Sequence, residues 1–351
     1  MQGFKGENLL AAVSQGLDGE TPYFNGEHRG GQCHVFKLSF KSRKSSLAVR
    51  VPLYMPVCSP DEKIDALRME MQSLQTLETK GFQWAPKCYG HSLTFDNPVR
   101  HPFIILTWIE GSVLHWDEES PPPLVRDKLL RQLASIQLSL IKHTLEEGTT
   151  NATDHFERMI RNRRARVQEG RLSGLCEQDC IDQLALLDQI LGKDGDSTAF
   201  AMEHGDIKPD NIIVDDEYNI QRCFAHFISI IDWAFAAHVP IARAACLPRF
   251  LWPDSFVYAP SPTVQRDRKS YIAFSASDSP PLQIAPAYIQ HWQAAVDVDF
   301  RTLYLESILS RGVHEGLARA GWRLAYCPSG VVEDESEELS NRHPMESSME
   351  L

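Results

Sequence analysis

No stretch of this 351-residue chain approaches the roughly 20 consecutive apolar residues that a membrane-spanning helix requires. The opening MQGFKGENLLAAVSQG lacks the apolar core of a secretory leader, so no signal peptide is expected. Basic residues are in deficit: 35 Lys and Arg against 47 Asp and Glu leave a net charge of −12. A nucleic-acid binder needs a basic face, so nucleic acid is excluded as a partner. The eight cysteines include no CxxC pair, and Cys176 and Cys180, four apart, suit one helix face. That pattern fits a reduced, cytoplasmic protein rather than a disulfide scaffold or a redox motif. Internal repeats are absent. Gly26, Gly30 and Gly31 do not form GxGxxG. They admit two readings, backbone amides that approach a phosphate or a plain hairpin turn.

What is present is an ordinary globular composition, 43% hydrophobic and 23% charged, with length enough for two lobes and a sizeable core. The acid is uneven. Residues 331–351 hold seven of the carboxylates, from Glu333 to Glu350, against Arg342. This tail carries about half the net charge with few apolar residues, and it reads as disordered.

The segment HGDIKPDNIIVDD, from His204 to Asp216, concentrates chemistry. Its IIV run is short and β-branched and reads as a buried strand. A polar turn stiffened by Pro209 therefore sits at a strand mouth. Asp206, Lys208 and Asn211 can converge there on a substrate hydroxyl, a phosphate and a hard cation. Mg²⁺ takes few protein ligands, prefers oxygen, and completes its shell with water and phosphate. A second carboxylate, Asp232, ends another Ile-rich run, SIID, so the two runs read as a hairpin with a metal site at its mouth.

A second constellation lies upstream. In LAVRVP, Leu47, Val49 and Val51 share one strand face and Ala48 and Arg50 the other. In DEKIDALRMEMQSLQTLETKG, residues Ile64, Leu67, Met71, Leu74 and Leu77 keep helical spacing, and Gly81 suits the C-terminal cap. Glu70 falls on that apolar face, where a carboxylate is costly unless paired. Arg50 is the natural partner; the alternative is a Glu70 side chain that reaches out to the helix edge.

HGD-x-x-x-x-N and IDW resemble the catalytic loop and metal-binding Asp of the protein-kinase-like superfamily. Gly205 and Trp233 point to its aminoglycoside phosphotransferase (APH), choline-kinase-like branch. LAVRVP, GRLSGLCEQDCIDQLALL, FAMEHGD, IIDWAFAAHVP and CLPRFLWP resemble the fungal APH-domain type, over residues 20–325.

The resemblance implies an α+β two-lobe fold, with a small N-lobe of antiparallel sheet plus one helix (1–108) and a mainly helical C-lobe (109–330). It also implies an ATP- and Mg²⁺-dependent phosphotransferase acting on a small-molecule hydroxyl. Asp206 would take the hydroxyl proton and Lys208 would stabilise the transferred phosphoryl group. Asn211 and Asp232 would hold Mg²⁺. Arg50, positioned by Glu70, would grip the α/β-phosphates where the family has Lys. Ala48 would lie over adenine, and the backbone from Leu106 through Thr107 to Ile109 would bind it. A non-catalytic nucleotide-binding module and an atypical protein kinase are the alternatives; the absence of A-P-E argues against the latter. The stretch RCFAHFIS lengthens the segment between Asn211 and Asp232, and an odd register shift there would turn Asp232 away from the site.

Elsewhere, HPFIILTWIEG reads as a buried strand, and PPPLVRDKLLRQLASIQLSLIKH as a central helix of pure core. The arginines of HFERMIRNRRARVQEGR form either an anion patch or a solvated helix face, the second being favoured. Trp233, Arg243, Trp252 and Asp254 are candidate walls of an acceptor pocket. SPTVQRDRKSYIAFSASDSPP reads as a polar loop, with helix resuming after it. Oligomeric state is not set by any of these features.

Overall fold

The computed structural model describes residues 6–17, 21–30, 33–41, 45–52, 59–220, 230–277 and 298–326. The acidic tail and RCFAHFIS lie outside them, as does Gly31.

The first part of the chain builds a five-stranded antiparallel sheet from β1 (Pro22–Arg29), β2 (Cys33–Phe40), β3 (Leu47–Pro52), β4 (Cys88–Ser92) and β5 (Phe103–Thr107), in the order β1-β2-β3-β5-β4. Alternation sorts its two faces. Phe36, Leu38, Phe40, Leu47, Val49, Val51, Phe103 and Ile105 form one cluster, closed by Leu9 and Val13 of α1 (Gly6–Gly16). This outer helix and β1 are additions to the sequence expectation. Gly26 sits within β1, at its register shift, with φ +144°, and not at the hairpin turn.

The other face carries Ala48, Arg50, Ile104 and Leu106, and α2 (Pro60–Thr79) covers it. A capping box starts α2: Ser59 Oγ accepts from the Glu62 N–H, and the Ser59 N–H donates to Glu62 Oε2. Both satisfy amide donors left free at a helix start. Gly81, at φ +78°, follows its end.

Helices dominate the second part. The central helix α3 (Pro123–Thr144) packs against α7 (Pro262–Ser277), while α4 (Ala152–Gln168) packs against α5 (Glu177–Leu191). The helices α8 (Val298–Leu309) and α9 (Arg311–Arg319) complete a second core around Phe156, Tyr304 and Leu317. Short strands frame the site. Here β8 (Ala199–Glu203) pairs with β10 (Ala237–Pro240) and β7 (Glu146–Glu147), and β6 (Ser112–Val113) pairs with β9 (Ile213–Val214); α6 (Ile241–Ala244) follows β10.

Three sequence expectations need correction. The segment read as a polar loop is α7, because Asp267, Tyr271 and Ser275 recur every four residues and turn inward, each 3% exposed or less. The helix read as pure core holds Arg126, 2% exposed, which donates from Nε to the fully buried Asp267 at 2.7 Å. Of the SIID run, the described residues Ile230, Ile231 and Asp232 form a single bridge, Ile212 to Ile230, and no strand; Ser229 lies outside the described residues. The favoured reading of the α4 arginines as a solvated face holds for the exposed Arg158, Arg161 and Arg166. Arg163 donates to the Ser307 and Ile308 carbonyls, and Arg161 and Arg164 pair with Glu157 and Glu177.

Candidate active site

A cleft of about 1240 Å³ opens between the sheet and the helical part. Ala48, Arg50, Leu106, Thr107, Ile109, Asp206, Lys208, Asn211 and Asp232 all line it. Residues from strands β3 and β5 thus meet residues from the β8–β9 loop, about 100 positions or more away in sequence.

The loop owes its shape to two residues. Gly205 adopts φ +79°, and a Cβ there would strike the Phe235 carbonyl oxygen, so only glycine fits. His204 is 1% exposed. Its Nε2 donates to the Ile231 carbonyl at 2.9 Å, and its Nδ1 accepts the Asp206 N–H at 3.2 Å. Burial pushes the imidazole pKa down to about 4, which keeps it neutral and able to fill both roles. Trp233 lies edge-on to His204, ring centres 4.6 Å apart, and is 1% exposed. It therefore supports the loop from behind and is not an acceptor-pocket wall. Asp254, at the surface, does not line the cleft either.

Asp206 is 4% exposed and carries two cations. Lys208 Nζ lies 2.7 Å from its Oδ2, and Arg249 Nη1 lies 3.0 Å from its Oδ1. Asn211 Nδ2 donates to the Asp206 carbonyl at 2.8 Å and to Oδ2 at 3.2 Å, and its amide oxygen has no hydrogen bond among the described residues. The Ile231 N–H reaches the Asn211 carbonyl at 2.9 Å, and Asp232 follows in the left-handed region at φ 65°. Asp232 therefore stays in the cleft although the preceding segment is long. The free oxygens of Asn211 and Asp232 are hard donors of the kind Mg²⁺ takes. Among the described residues no cluster of three or more His, Cys, Asp or Glu forms a closed metal cage. A metal held here would need phosphate and water oxygens as well.

Arg50 and Glu70 are in direct contact, Nη1 to Oε1. Arg50 also donates from Nη2 to Asp232 Oδ1 at 2.6 Å and from Nε to Cys33 Sγ at 3.1 Å. Burial works against the Arg50 charge, but Glu70, Cys33 and Asp232 outweigh it and hold the guanidinium ionised. Burial pushes the Glu70 carboxyl up, with Arg50 opposing the shift. Glu70 does not reach for the helix edge; it is 2% exposed.

At the sheet end, the Thr107 N–H is taken by the Lys87 carbonyl and the Trp108 N–H by the Ser46 carbonyl. The Ile109 N–H makes no backbone bond among the described residues.

Sequence reasoning missed Arg249; it named Arg243 as a candidate pocket wall, and Arg243 does line the cleft, but its two ion pairs were not foreseen. Arg249 reaches Asp206 from 43 positions away, anchored by its own N–H to the Ile207 carbonyl at 3.1 Å. Arg243, 3% exposed, bridges Glu203 (2.9 Å) and Glu306 (2.5 Å) at the helical end of the cleft. Burial pushes the Glu203 carboxyl up, while Arg243 opposes it. Only the presence of CLPRF beside the catalytic stretch hinted at Arg249.

The fold has solved counterparts. A Ralstonia eutropha jmp134 protein, solved as a candidate aminoglycoside phosphotransferase, superposes with TM-score 0.52 at 15% identity, covering 92% of this chain and 97% of that one. The streptomycin–ATP–APH(2″)-IIa ternary complex gives TM-score 0.54 at 13% identity, over 91% and 96%. At such identities the likeness is one of fold, and the fold is the two-lobe protein-kinase-like one. Among curated proteins, altered inheritance of mitochondria protein 9, mitochondrial, of Vanderwaltozyma polyspora is 26% identical over 122 residues, 32% of this chain. The chain spans about a fifth of that relative's length. Residues 25–247, more than half of the chain, match the APH phosphotransferase enzyme family, and the chain belongs to that family.

Proposed function

We propose that this chain transfers the γ-phosphoryl group of ATP to a hydroxyl of a small-molecule acceptor, with Mg²⁺ as cofactor. The observation that carries the reading is the convergence of Asp206, Lys208, Asn211, Asp232 and Arg50 at one cleft. Bound between Asn211 and Asp232, Mg²⁺ would neutralise charge on the phosphate oxygens. Arg50, fixed by Glu70, orients the α/β-phosphates. Asp206 accepts the acceptor's hydroxyl proton as its oxygen bonds to phosphorus and the bond to ADP breaks. Lys208 and Arg249, both on Asp206, face the charge of the transferred group. Catalysis is then positioning and charge stabilisation. Ala48 and the Ile109 N–H serve the base, with Thr107 shaping the hinge by its bond to Lys87. The acceptor enters at the end marked by Glu203, Arg243 and Glu306.

The test is a library of hydroxylated metabolites incubated with γ-labelled ATP and Mg²⁺. We expect label transfer to at least one small molecule and little to generic peptides. Asp206→Asn should lower turnover by about 10²–10⁴-fold, the usual worth of a general base, with nucleotide affinity kept. An unchanged rate removes Asp206 from the mechanism.

One observation favours a second reading, a nucleotide-binding module without catalysis: Arg50 already occupies an oxygen of Asp232. Tight ATP binding with no transfer to any acceptor or to water would support it. A cytoplasmic setting stays part of the proposal, supported by free thiols at Cys33, Cys88, Cys176, Cys180 and Cys246. Cell fractionation tests it against the mitochondrial location in the relative's name.

A further inference from the structure

We propose that Arg50 is the resident counter-cation of Asp232. In the nucleotide-free protein its guanidinium holds this carboxylate against divalent metal, and phosphate oxygens that draw Nη2 away open the site. This rests on the reading of Asp232 as a metal ligand.

The geometry separates a fixed half of the guanidinium from an exchangeable one. Arg50 is 7% exposed, and its Nε, Nη1 and Nη2 each have a different partner. Pairing of β3 with Val35 on one side and Ile104 on the other sets the direction of its side chain. Nη1 is held by Glu70, whose side chain is 2% exposed on the packed face of α2. Nη2 is held by Asp232, whose side chain is 31% exposed at the cleft. The Glu70 contact is therefore sealed, whereas the Asp232 contact faces the space where phosphates would lie.

Arginine is the residue type that allows this. Its rigid fork presents separate nitrogens to two carboxylates, whereas lysine offers one compact ammonium. One carboxylate oxygen of Asp232 is used by Nη2. A divalent cation added to the other would face a full positive charge at short range. Phosphate relieves the conflict, because it gives Nη2 an anionic partner and frees Asp232 for the metal. The metal site is thus assembled by nucleotide and does not precede it.

The experiment uses the full chain without nucleotide and titrates Mn²⁺ alone, reading free Mn²⁺ by electron paramagnetic resonance. Arg50→Lys should bind Mn²⁺ about tenfold more tightly than the wild type, the scale of one charge-assisted hydrogen bond. Equal or weaker binding overturns the proposal. The gain must run through Asp232, so Arg50→Lys combined with Asp232→Asn should bind no better than Asp232→Asn alone. A gain that survives in the double variant also overturns it. A second measurement does not depend on Arg50→Lys folding. In EDTA, Asp232→Asn should melt below the wild type, because Arg50 loses a charged partner; an unchanged or higher melting temperature sinks the idea. None of these readouts involves phosphoryl transfer. A failed acceptor screen would count against the proposed function and leave this inference standing, and the reverse also holds.

Discussion

His204 shows how one residue ties local conformation to stability. It is buried and neutral, donating to Ile231 and accepting from Asp206, so protonation would break the second bond. Its pKa lies at about 4 in the folded protein, against an ordinary 6.5. The unfolded chain therefore binds more protons between these values, and the contribution of His204 to stability is complete above pH 6.5. It is lost progressively as pH falls towards 4, at up to about 1.4 kcal/mol per pH unit for one proton. His314, also pushed down to about 4 by burial, shares that window. The informative quantity is the difference between wild type and His204→Gln in urea-unfolding free energy, measured from pH 7 to pH 4. That difference should shrink on acidification. If it stays constant, His204 does not titrate in this window.

At the scale of elements, the pairing of α3 with α7 depends on more than apolar contact. Arg126 and Asp267 meet between the two helices, both nearly solvent-free, and Arg126 also donates from Nη1 to the Ser120 carbonyl at 2.7 Å. The guanidinium lies 4.2 Å from the centre of the Trp116 ring. Removing one partner of such a pair leaves a buried charge uncompensated, which typically costs about 3–5 kcal/mol. Asp267→Ala should therefore lose stability on that scale in denaturant unfolding. A loss below about 1 kcal/mol would mean that water reaches Arg126. The same accounting explains why α7 is ordered at all. Of its inward residues, Asp267 satisfies an arginine of α3 and the Tyr271 hydroxyl donates to Gln137 Oε1 of the same helix.

In the whole molecule, the sheet body and the helical body flank the cleft and share one apolar cluster, which runs from Leu67 and Leu74 of α2 to Leu129 and Leu133 of α3. Arg50 reaches Asp232, the Ile230 N–H reaches the Trp84 carbonyl at 3.4 Å, and Phe82 lies edge-on to Trp233 at 5.7 Å. A nucleotide in the cleft would touch both bodies and favour the folded state over the unfolded one. At a concentration 100 times its Kd it adds about 2.7 kcal/mol to stability by mass action. ATP with Mg²⁺ should therefore raise the melting temperature of the full chain, and by more than Mg²⁺ alone. No shift at millimolar nucleotide would remove the cleft as a nucleotide site.

Much of the site was legible because it is written in short periods. Alternation in LAVRVP separated Arg50 from the apolar face of β3, and helical spacing put Glu70 on the packed face of α2. Their contact follows once the strand and the helix pack. The spacing of His204, Asp206 and Asn211 fixed one loop with Gly205 at its turn. Periodicity was silent where a polar side chain is buried by a partner far along the chain. Arg249 meets Asp206 across 43 positions, Arg243 meets Glu306 across 63, and Arg126 meets Asp267 across 141. In sequence these residues resemble any solvated helix or loop. Whether a charge is buried depends on which distant charge the packing brings to it, and the tertiary structure alone decides that.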